Sequence, residues 1–461
     1  MREAIVNFSK NRTLEITKAG VPMSLAWTID LVKELGETKV FTDEATVEKL
    51  SKDFYWYSPV LDKRLRDKKA DAVISPANER EVEEALAIAY LHRIPVTVRG
   101  AGTGNYGQAI PLEGGLVLDL SGMDRIIEIG DGYARVECGV KLGVLERKAR
   151  ELGQELRIYP STYAKATVGG FVCGGSGGVG SITWGNLWDG NVLEAVVYTM
   201  EERPRRLVVS GEQLYDYIHN YGTTGIVTEV VIPLAPRTDW AQAVVQFSDF
   251  ESAVRFGEVL AERDGIAKRL VSPIEWPLPS FFKPLEKVLA RDKSVVFTEV
   301  AGEALDELKE LAASFGGELG HVIEPAMYRK TIGLSDFTWN HTTLWALKAD
   351  PAYTYLQAGF DRPRYLEQLR ALKAEFGDEL LMHFEWIRGG GKLLANALPV
   401  VRFTTEERLY YIIETCRSIG VEIYDPHTWM LDNGGRGAVQ GMQVCKKAND
   451  PLGLLNPGKI G

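Results

Sequence analysis

The sequence predicts an α+β fold organised in two domains. The chain has 461 residues, which exceeds the size at which one hydrophobic core keeps growing. Residues 71–235 combine short strand patterns, occasional helices and glycine-dense loops, whereas residues 236–403 alternate strand and helix patterns regularly. We therefore place a boundary after Ala235-Pro236-Arg237 and expect the second domain to contain an antiparallel sheet.

In the first domain, apolar runs bounded by turn residues predict short strands. These strands cover residues 71–75, 95–99, 115–120, 133–138, 192–200 and 225–233. A helix is predicted between the first two, because Asn78 can cap it with Glu81 three residues later. Its buried face has the i, i+3, i+4, i+7 spacing and consists of Val82, Ala85, Leu86 and Ala89.

The second domain shows helical faces and strand patterns in turn. The predicted helices are residues 250–263, 302–315, 363–376 and 404–419, the last opening with a Thr404-x-x-Glu407 capping box. The predicted strands are residues 242–247, 295–300, 353–360 and 379–387. This alternation of strands and helices indicates an antiparallel sheet with helices on one face. It is also compatible with a duplicated unit.

Two glycine-rich segments predict a site for one nucleotide cofactor. The first is PVTVRGAGTGNYGQAIP from Pro95 to Pro111, and the second is ATVGGFVCGGSGGVGSITWG from Ala166 to Gly185. Below, "first glycine loop" means residues 99–108 and "second glycine loop" means residues 166–185. Backbone without Cβ atoms can approach a pyrophosphate closely, and Arg99 can add a charge-assisted hydrogen bond.

Both segments formally match G-x-G-x-x-G, starting at Gly102 and at Gly175. The dinucleotide fingerprint requires that the glycines open a helix and that an acidic residue follows about 20 positions later. After Gly107, however, come Pro111, a Gly-Gly pair and another strand pattern. A Rossmann-type NAD site is therefore not expected.

Together, the motifs resemble the vanillyl-alcohol oxidase and p-cresol methylhydroxylase family of FAD proteins, in particular the branch with glycolate oxidase and D-lactate dehydrogenase flavin subunits. The matching motifs, in chain order, are VFTD from Val40, DAVISPAN from Asp71, RGAGTG from Arg99, GGLVLDLSGMDRI from Gly114, ATVGG from Ala166, YGTTGIVTEV from Tyr221 and DPLGLLNPGK from Asp450.

The resemblance implies a PCMH-type FAD-binding domain of two subdomains, followed by an α+β cap domain with an antiparallel sheet. It implies a helical segment at residues 1–70 that joins the FAD domain of residues 71–235. The cap then follows at residues 236–403. A C-terminal segment at residues 404–461 completes the flavin site. The expected FAD contacts are Pro76, Arg99, Gly100, Ala101, Gly102, Thr103, Gly104, Asn105, Tyr106, Gln108, Ser161, Thr167, Gly169, Gly170, Gly174, Ser176, Gly177, Ser181, Gly185, Gly225, Ile226, Val227 and Asn456.

Many relatives attach the flavin covalently through a histidine in the first loop. Thr103 occupies that stretch here, and no histidine lies between His92 and His219. Cys173 is the nearby thiol that could substitute, although a small buried hydrophobe is its ordinary role. We expect noncovalent FAD.

The resemblance implies that the substrate lies between the FAD domain and the cap. With period two, His383 and Glu385 share one face of the strand that ends at Ile387, and the opposite face is wholly apolar. His383 should then face either solvent or the flavin cleft. Arg388, followed by three glycines, could reach the cleft and clamp a carboxylate.

A second candidate region runs from Tyr424 to Gly435 and is dense in polar and aromatic groups. His427, held beside an aspartate, could act as the general base that removes a hydroxyl proton. Alternatively, Pro426 and His427 only shape the connection into the terminal segment. Tyr424 is a further candidate contact.

Composition excludes several classes of partner. The chain has 53 basic and 63 acidic residues, a net charge of −10, which argues against nucleic acid. The first residues lack the apolar core of a signal peptide, and no apolar run approaches 18 residues. We expect a cytoplasmic protein, with attachment to a membrane surface left open.

Metal and cluster sites are not expected within this chain. The metal-dependent branch of the family carries two histidines seven apart, but the position seven beyond His383 is glycine, and the six histidines have no ligand spacing. Trp339-Asn-His341-Thr342 also lacks an arginine that this branch places after a tryptophan. Four cysteines without a C-x-x-C pair mean that any iron–sulfur cluster would have to lie on a partner chain.

The expected function is FAD-dependent hydride removal from a CH–OH carbon of a 2-hydroxy acid or another alcohol. The electron acceptor could be oxygen, a quinone or a protein. Two alternatives stay open: a flavin subunit that relays electrons in a complex, and a nicotinamide-dependent flavin reductase on the same fold.

Overall fold

A computed structural model describes residues 27–434 and 438–461. The predicted N-terminal segment of residues 1–70 therefore lies partly outside the described residues, as does the end of the candidate region that reaches Gly435. The first elements are α1 (Trp27–Leu35), β1 (Val40–Phe41), α2 (Glu44–Leu50) and α3 (Pro59–Leu65). Capping side chains open α2 and α3: Asp43 accepts the N–H of Thr46 at 2.9 Å, and Ser58 accepts that of Leu61 at 3.1 Å.

Two sheets follow, as expected for a two-subdomain fold. Their elements are β2 (Ala72–Ile74), α4 (Glu79–Leu91), β3 (Val96–Arg99), β4 (Leu116–Asp119), β5 (Ile126–Gly130), β6 (Tyr133–Glu137), α5 (Leu142–Glu151), β7 (Gln154–Leu156), α6 (Val168–Gly174), α7 (Ser181–Trp184), β8 (Glu194–Tyr198), β9 (Arg206–Ser210) and β10 (Ile226–Pro236). The first sheet has the order β1-β2-β4-β3, with β2, β4 and β3 parallel. The second is antiparallel, in the order β5-β6-β10-β8-β9, and β7 also pairs with β10.

The remaining elements form three antiparallel sheets with helices. They are β11 (Trp240–Phe247), α8 (Phe250–Glu262), β12 (Lys268–Ile274), β13 (Ser294–Ala301), α9 (Leu305–Ser314), β14 (Glu318–Ile323), α10 (Asn340–Ala349), β15 (Tyr353–Tyr355), β16 (Ala358–Phe360), α11 (Tyr365–Phe376), β17 (Leu380–Leu381), β18 (Phe384–Gly389), β19 (Lys392–Ala397), β20 (Val400–Arg402), α12 (Glu406–Ser418), β21 (Glu422–Ile423), α13 (Leu431–Gly434) and α14 (Val439–Asn449).

A β-α-β-β-α-β unit occurs twice in this second half. The first copy forms the sheet β12-β13-β11-β14 with α8 and α9, and the second forms the sheet β18-β19-β16-β21 with α11 and α12. Both sheets have the same strand order, so the duplication indicated by the sequence is present. The edge strands β12 and β18 lie side by side, and Ile274 of β12 forms an antiparallel bridge with His383, the residue before β18. We call this junction the repeat seam.

The predicted capping of α4 is confirmed in detail. Asn78 Oδ1 accepts the N–H of Glu81 at 3.1 Å, and Glu81 Oε2 accepts the N–H of Ala77 at 2.8 Å. All the residues predicted for the buried face of α4 are buried. At α12, by contrast, the predicted cap is one residue off, because Thr405 rather than Thr404 accepts the N–H of Arg408.

Two predicted strands are wrong as single strands. Residues 353–360 form β15 and β16, which belong to different sheets, and residues 379–387 form β17 and β18, which also belong to different sheets. At the second break, Met382 exchanges hydrogen bonds with Glu275 instead of continuing the ladder of β17. The alternation of side chains assigns residues to the two faces of one continuous strand, so it cannot be applied across a break between two strands.

The C-terminal segment extends the first sheet beyond β3. The N–H of Val96 donates to the carbonyl of Leu454 at 2.8 Å, and the N–H of Asn456 donates to the carbonyl of Val96 at 2.7 Å. This pairing brings the last residues of the chain directly behind the first glycine loop.

Candidate functional site

A cavity of about 700 Å³ lies where both glycine loops meet the duplicated half of the chain. Its lining also includes residues at the start of α10, on β16 and on β19. Pockets for small molecules and cofactors range from roughly 300 to 1,000 Å³. The cavity is therefore large enough for a sizeable ligand, and it joins the loops to the half of the chain expected to hold the substrate.

Most of the predicted cofactor residues line this cavity. They are Arg99, Gly100, Ala101, Gly102, Thr103, Gly104, Asn105, Tyr106, Gln108, Ser161, Thr167, Gly169, Gly170, Gly174, Ser176, Gly177, Gly225 and Val227.

A few predicted cofactor residues lie behind the lining instead. Ile226 packs in the core of the first sheet, and Pro76 is buried just beyond the end of β2. Ser181 Oγ accepts a backbone N–H of the second glycine loop at 3.0 Å, and Gly185 ends α7 at a φ of 75°. Asn456 is fully buried and supports both sides of the cavity, because its Nδ2 donates to the carbonyls of Gln108 and Tyr221.

Arg99 braces the first glycine loop. Its Nη1 donates to the carbonyls of Leu50 and Lys52, and its Nε donates to that of Gly100 at 3.2 Å. Nη2 has no acceptor in the described part of the chain, and it lies 2.0 Å from the position that a Cβ on Gly102 would take. Gly102 also has a φ of +64°. Only glycine satisfies both the conformation and the space there.

Several hydrogen-bond donors that line the cavity have no acceptor among residues 27–434 and 438–461. They include the backbone N–H groups of residues 102–105 and those of Ser176 and Gly177. The Nδ2 of Asn105 is buried and also lacks a partner in this range. Because these donors converge on one cavity from two loops, they suit a ligand rich in acceptor oxygens.

The two glycine loops are in direct contact. A Cβ on Gly100 would lie 2.2 Å from Thr167 Oγ1, and that hydroxyl caps α6 by accepting the N–H of Gly170 at 3.1 Å. Gln108 links the loops, because its Nε2 donates to the carbonyl of Gly174 at 3.0 Å while its Oε1 accepts the N–H of Tyr106 at 2.9 Å. One ligand can thus contact both loops.

Two buried charged groups that attract each other, Asp53 and Lys459, lie behind the first glycine loop. Asp53 lines the cavity and accepts the N–H groups of Tyr55 and Ala109 at 2.9 and 3.2 Å. Lys459 is fully buried, and its Nζ donates to the carbonyl of Gly107 at 2.5 Å. Burial raises the pKa of Asp53 and lowers the pKa of Lys459, and the attraction between the two charges opposes both shifts.

Of the four predicted catalytic residues, Tyr424 lines the cavity. Its hydroxyl donates to Glu422 Oε2 at 2.9 Å. Burial, followed by the contact with Glu422, raises the pKa of Tyr424 to about 12. Tyr424 is therefore a neutral hydroxyl near neutral pH.

His427 does not line the cavity, contrary to its predicted role as the base. It is fully buried, its Nε2 donates to the carbonyl of Tyr355 at 2.9 Å, and its Nδ1 lies 2.7 Å from Ser58 Oγ. The neighbouring Asp425 accepts the backbone N–H of His427 rather than a ring N–H. The imidazole thus ties the C-terminal region to the start of α3, as in the structural alternative.

His383 and Arg388 are also placed away from the cavity. His383 and Glu385 are buried at the repeat seam, where Trp339 and Thr342 at the start of α10 lie against their side chains. His383 Nε2 lies 3.0 Å from Glu385 Oε1 and 3.0 Å from Ser272 Oγ. Arg388 Nη2 pairs with Asp264 at 3.1 Å, so Arg388 is no clamp in the cavity.

Sequence reasoning missed two histidines that line the cavity, His219 and His341. Both ring nitrogens of His219 are engaged: Nδ1 lies 2.7 Å from the carbonyl of Gly175, and Nε2 lies 3.1 Å from the hydroxyl of Tyr221. The family motif at Tyr221 could have drawn attention to His219, two residues earlier. The polar residues around His341, at the start of a helix, indicated a functional role for this histidine less clearly.

The thiols near the second glycine loop are poorly reactive. Cys173 lines the cavity, and burial raises its pKa to about 12. Burial likewise raises the pKa of Cys138 well above its usual range. A thiol with a raised pKa carries little thiolate and is a poor nucleophile.

The lining fits FAD. Glycines allow close approach of a ligand, unengaged N–H groups from both loops suit pyrophosphate oxygens, and Arg99 Nη2 can add a charged donor. Residues 99–105 and 176–177 would hold the phosphates. Fold and site together define a dinucleotide-binding protein whose cofactor cavity lies against a duplicated α+β half.

Comparison with known proteins identifies the family. Residues 70–204 match the model of an FAD binding domain. An uncharacterized FAD-linked oxidoreductase of Mycobacterium tuberculosis is 30% identical over 421 residues, which cover 84% of this chain and 89% of that protein. The glycolate oxidase subunit GlcD of Escherichia coli is 29% identical over 435 residues, covering 84% and 83%. The D-lactate dehydrogenase of Archaeoglobus fulgidus is 30% identical over 194 residues, covering 40% and 43%.

The chain belongs to the FAD-linked oxidoreductases, and FAD is its cofactor. A solved alkyldihydroxyacetonephosphate synthase has the same fold, with a TM-score of 0.72 and 13% identity over 94% of this chain and 85% of that one. In the described residues, no helix is long and apolar enough to cross a bilayer.

Proposed function

We propose that this FAD-linked oxidoreductase oxidises a CH–OH group of a small alcohol or hydroxy acid. The observation that supports this proposal is one continuous cavity that runs from both glycine loops to the start of α10 and to β16 and β19. Such a cavity can hold the cofactor and leave one end for a substrate. The names of the relatives from E. coli and A. fulgidus, a glycolate oxidase subunit and a D-lactate dehydrogenase, support a hydroxyl-bearing substrate.

In this proposal the chain binds, orients and deprotonates the substrate. The first and second glycine loops hold FAD, which supplies a two-electron acceptor when bound. Gln357, Asn396 and Tyr424 offer neutral polar groups to a substrate at the other end. The cofactor is held without a covalent bond, since Thr103 replaces a tethering residue and the Cys173 thiol has a raised pKa.

Anaerobic mixing tests the proposal directly. Purified holoprotein is mixed with glycolate, D-lactate, aromatic alcohols, sugars and NADH, and flavin absorbance is followed. Bleaching by an alcohol or a hydroxy acid is the expected result. Bleaching by NADH alone would replace the proposal with a flavin reductase, and no bleaching by any hydroxyl compound would refute it.

A second candidate is a flavin subunit that passes electrons to a partner chain. The observation in its favour is the name of the E. coli relative, which denotes a subunit. Reoxidation of the reduced flavin separates the acceptors: a stand-alone oxidase reoxidises rapidly with oxygen, and a quinone-linked enzyme does so with a soluble quinone. Reoxidation only after adding a co-purified iron–sulfur protein would establish the subunit role.

A further inference from the structure

The substrate end of the cavity contains a histidine suited to proton transfer. His341 is the second residue of α10 and lines the cavity beside Trp339 and Asn340. The backbone carbonyl of Asp336 lies near the imidazole and favours its protonated form. Neither ring nitrogen makes a further hydrogen bond within the described part of the chain. In the neutral ring one nitrogen carries the proton and the other presents a lone pair.

We propose that His341 is the base that accepts the hydroxyl proton of the substrate. This inference rests on the proposed CH–OH oxidation. In the balanced step, the O–H bond breaks and its proton goes to the unengaged ring nitrogen of His341. The C–H bond breaks with its electron pair, which passes as a hydride to oxidised FAD, and a carbonyl compound is formed. The imidazolium then releases its proton to solvent.

The protonation state of His341 suits this role. Burial, and to a lesser extent the positive charge of Lys348, lowers the pKa of His341 to about 4, while the nearby carbonyl of Asp336 opposes the shift. The ring is therefore neutral at physiological pH and can accept a proton. A base with so low a pKa is weak, so its contribution should lie near the lower end of the usual range of 10²–10⁴-fold, at about 10².

The other titratable groups of the lining are less suited. His219 has both ring nitrogens engaged, and Asp53 accepts two backbone N–H groups beside the first glycine loop. Burial raises the pKa of Tyr57 and of Tyr424, so both hydroxyls keep their protons. His341 alone among these combines a neutral acceptor with a place at the start of α10.

The turn before His341 is held in an uncommon conformation. Trp339 has a φ of 53° and a ψ of −139°, which is unfavourable for a bulky residue. Its N–H donates to Glu385 Oε1 at 2.7 Å, and Ser272 Oγ donates to the same oxygen at 3.1 Å. The buried carboxylate at the repeat seam thus positions the start of α10. Strained backbone of this kind clusters at functional sites.

The unpartnered polar atoms at this turn point to a ligand as well. Trp339 Nε1 and Asn340 Oδ1 are buried and have no hydrogen-bond partner in the described residues. A substrate hydroxyl has one hydrogen, which the proposed step gives to His341, so its oxygen would accept the N–H of Trp339. Asn340 Oδ1 would accept from a second donor group of the substrate.

His341→Gln tests the inference, with His321→Gln on β14 as the matched control. With a substrate that bleaches the wild type, His341→Gln should retain FAD and slow flavin reduction about 10²-fold, with KM changed by less than about threefold. His321→Gln should reduce at the wild-type rate. A wild-type rate in a folded, FAD-loaded His341→Gln protein would overturn the inference while leaving the proposed function intact. A wild type that no hydroxyl compound reduces would overturn both.

The pH dependence of stability gives a readout that needs no turnover. The titratable groups near His341 are Lys348 on α10, Asp336 before it, and the tyrosines of Tyr55–Tyr57 and Tyr353–Tyr355 on elements packed against the helix. The folded protein binds fewer protons at His341 than the unfolded chain between pH 6.5 and about 4, so stability falls as the pH falls through that window. The stability of the His341→Gln variant should decrease less steeply over the same pH range. Equal slopes would overturn the neutral state that the inference requires.

Discussion

Replacing Gly102 by valine should abolish FAD binding. At a φ of +64°, an L-residue loses about 1–2 kcal/mol. The new Cβ would lie 2.0 Å from Arg99 Nη2 and displace the guanidinium from the carbonyls of Leu50 and Lys52. Each of these charged hydrogen bonds is worth about 1.5–3 kcal/mol. The local cost is then roughly 4–8 kcal/mol, which corresponds to at least about a 10³-fold loss of affinity if FAD requires this loop geometry.

Gly132→Val is the matched control for this prediction. Gly132 also has a positive φ, +79°, but a Cβ there would meet nothing within 4 Å. Both variants therefore lose conformational energy, and only Gly102→Val disturbs Arg99. The measurements are FAD per chain by absorbance, the Kd of the apoprotein for FAD by fluorescence titration, and urea unfolding. A folded Gly102→Val protein with full FAD content and the wild-type Kd would refute the assignment of the first glycine loop.

Three further predictions concern the cofactor bond and two buried groups. Acid precipitation should leave the flavin in the supernatant of both the wild type and Cys173→Ala, because the thiol of Cys173 has a raised pKa; a yellow pellet from the wild type alone would reveal a cysteine bond. Lys459→Met should lower the free energy of unfolding by about 1.5–3 kcal/mol, because it removes the charged hydrogen bond to the carbonyl of Gly107 and the positive charge that attracts the buried carboxylate of Asp53. Adding Asp53→Asn should restore part of the loss in urea titrations, and strictly additive losses would contradict the pairing. His427→Ala should lower the free energy of unfolding by about 1–3 kcal/mol through the lost bonds to Ser58 and Tyr355, while the rate of flavin reduction in the folded variant stays within about twofold; a slow but fully stable variant would return His427 to the mechanism.

Local features of the sequence predicted local structure well. The cap and the buried face of α4 depend on residues within one or two helical turns, so the pattern from Asn78 to Ala89 was sufficient. The glycine loops were equally readable, since close approach and positive φ demand glycine wherever they occur. Fifteen of the cofactor residues implied by the family motifs lie within these two loops and line the cavity.

Two candidate catalytic histidines lie outside the cavity, because distant packing decides which side chains are exposed. His427 is engaged by Ser58, 369 positions away, and His383 is engaged by Ser272, 111 positions away. Neither partner can be inferred from the residues around the histidine. The break between β17 and β18 had the same origin, because residues 380–387 pass from one sheet to another. Alternation along a strand indicates a face, but only the neighbouring sheet decides whether that face is open.

The duplicated unit explains why a polar cluster is buried beside the cavity. β12 and β18 are equivalent edge strands of the two copies, and their contact covers part of two edges of the kind that invite aggregation. The side chains of His383 and Glu385 become buried there and need partners, because unpaired buried charge is costly. Glu385 takes one donor from β12 and another from the N–H of Trp339. The junction of the repeats is thereby coupled to the turn that presents His341, which makes the geometry of the substrate end depend on how the two copies pack.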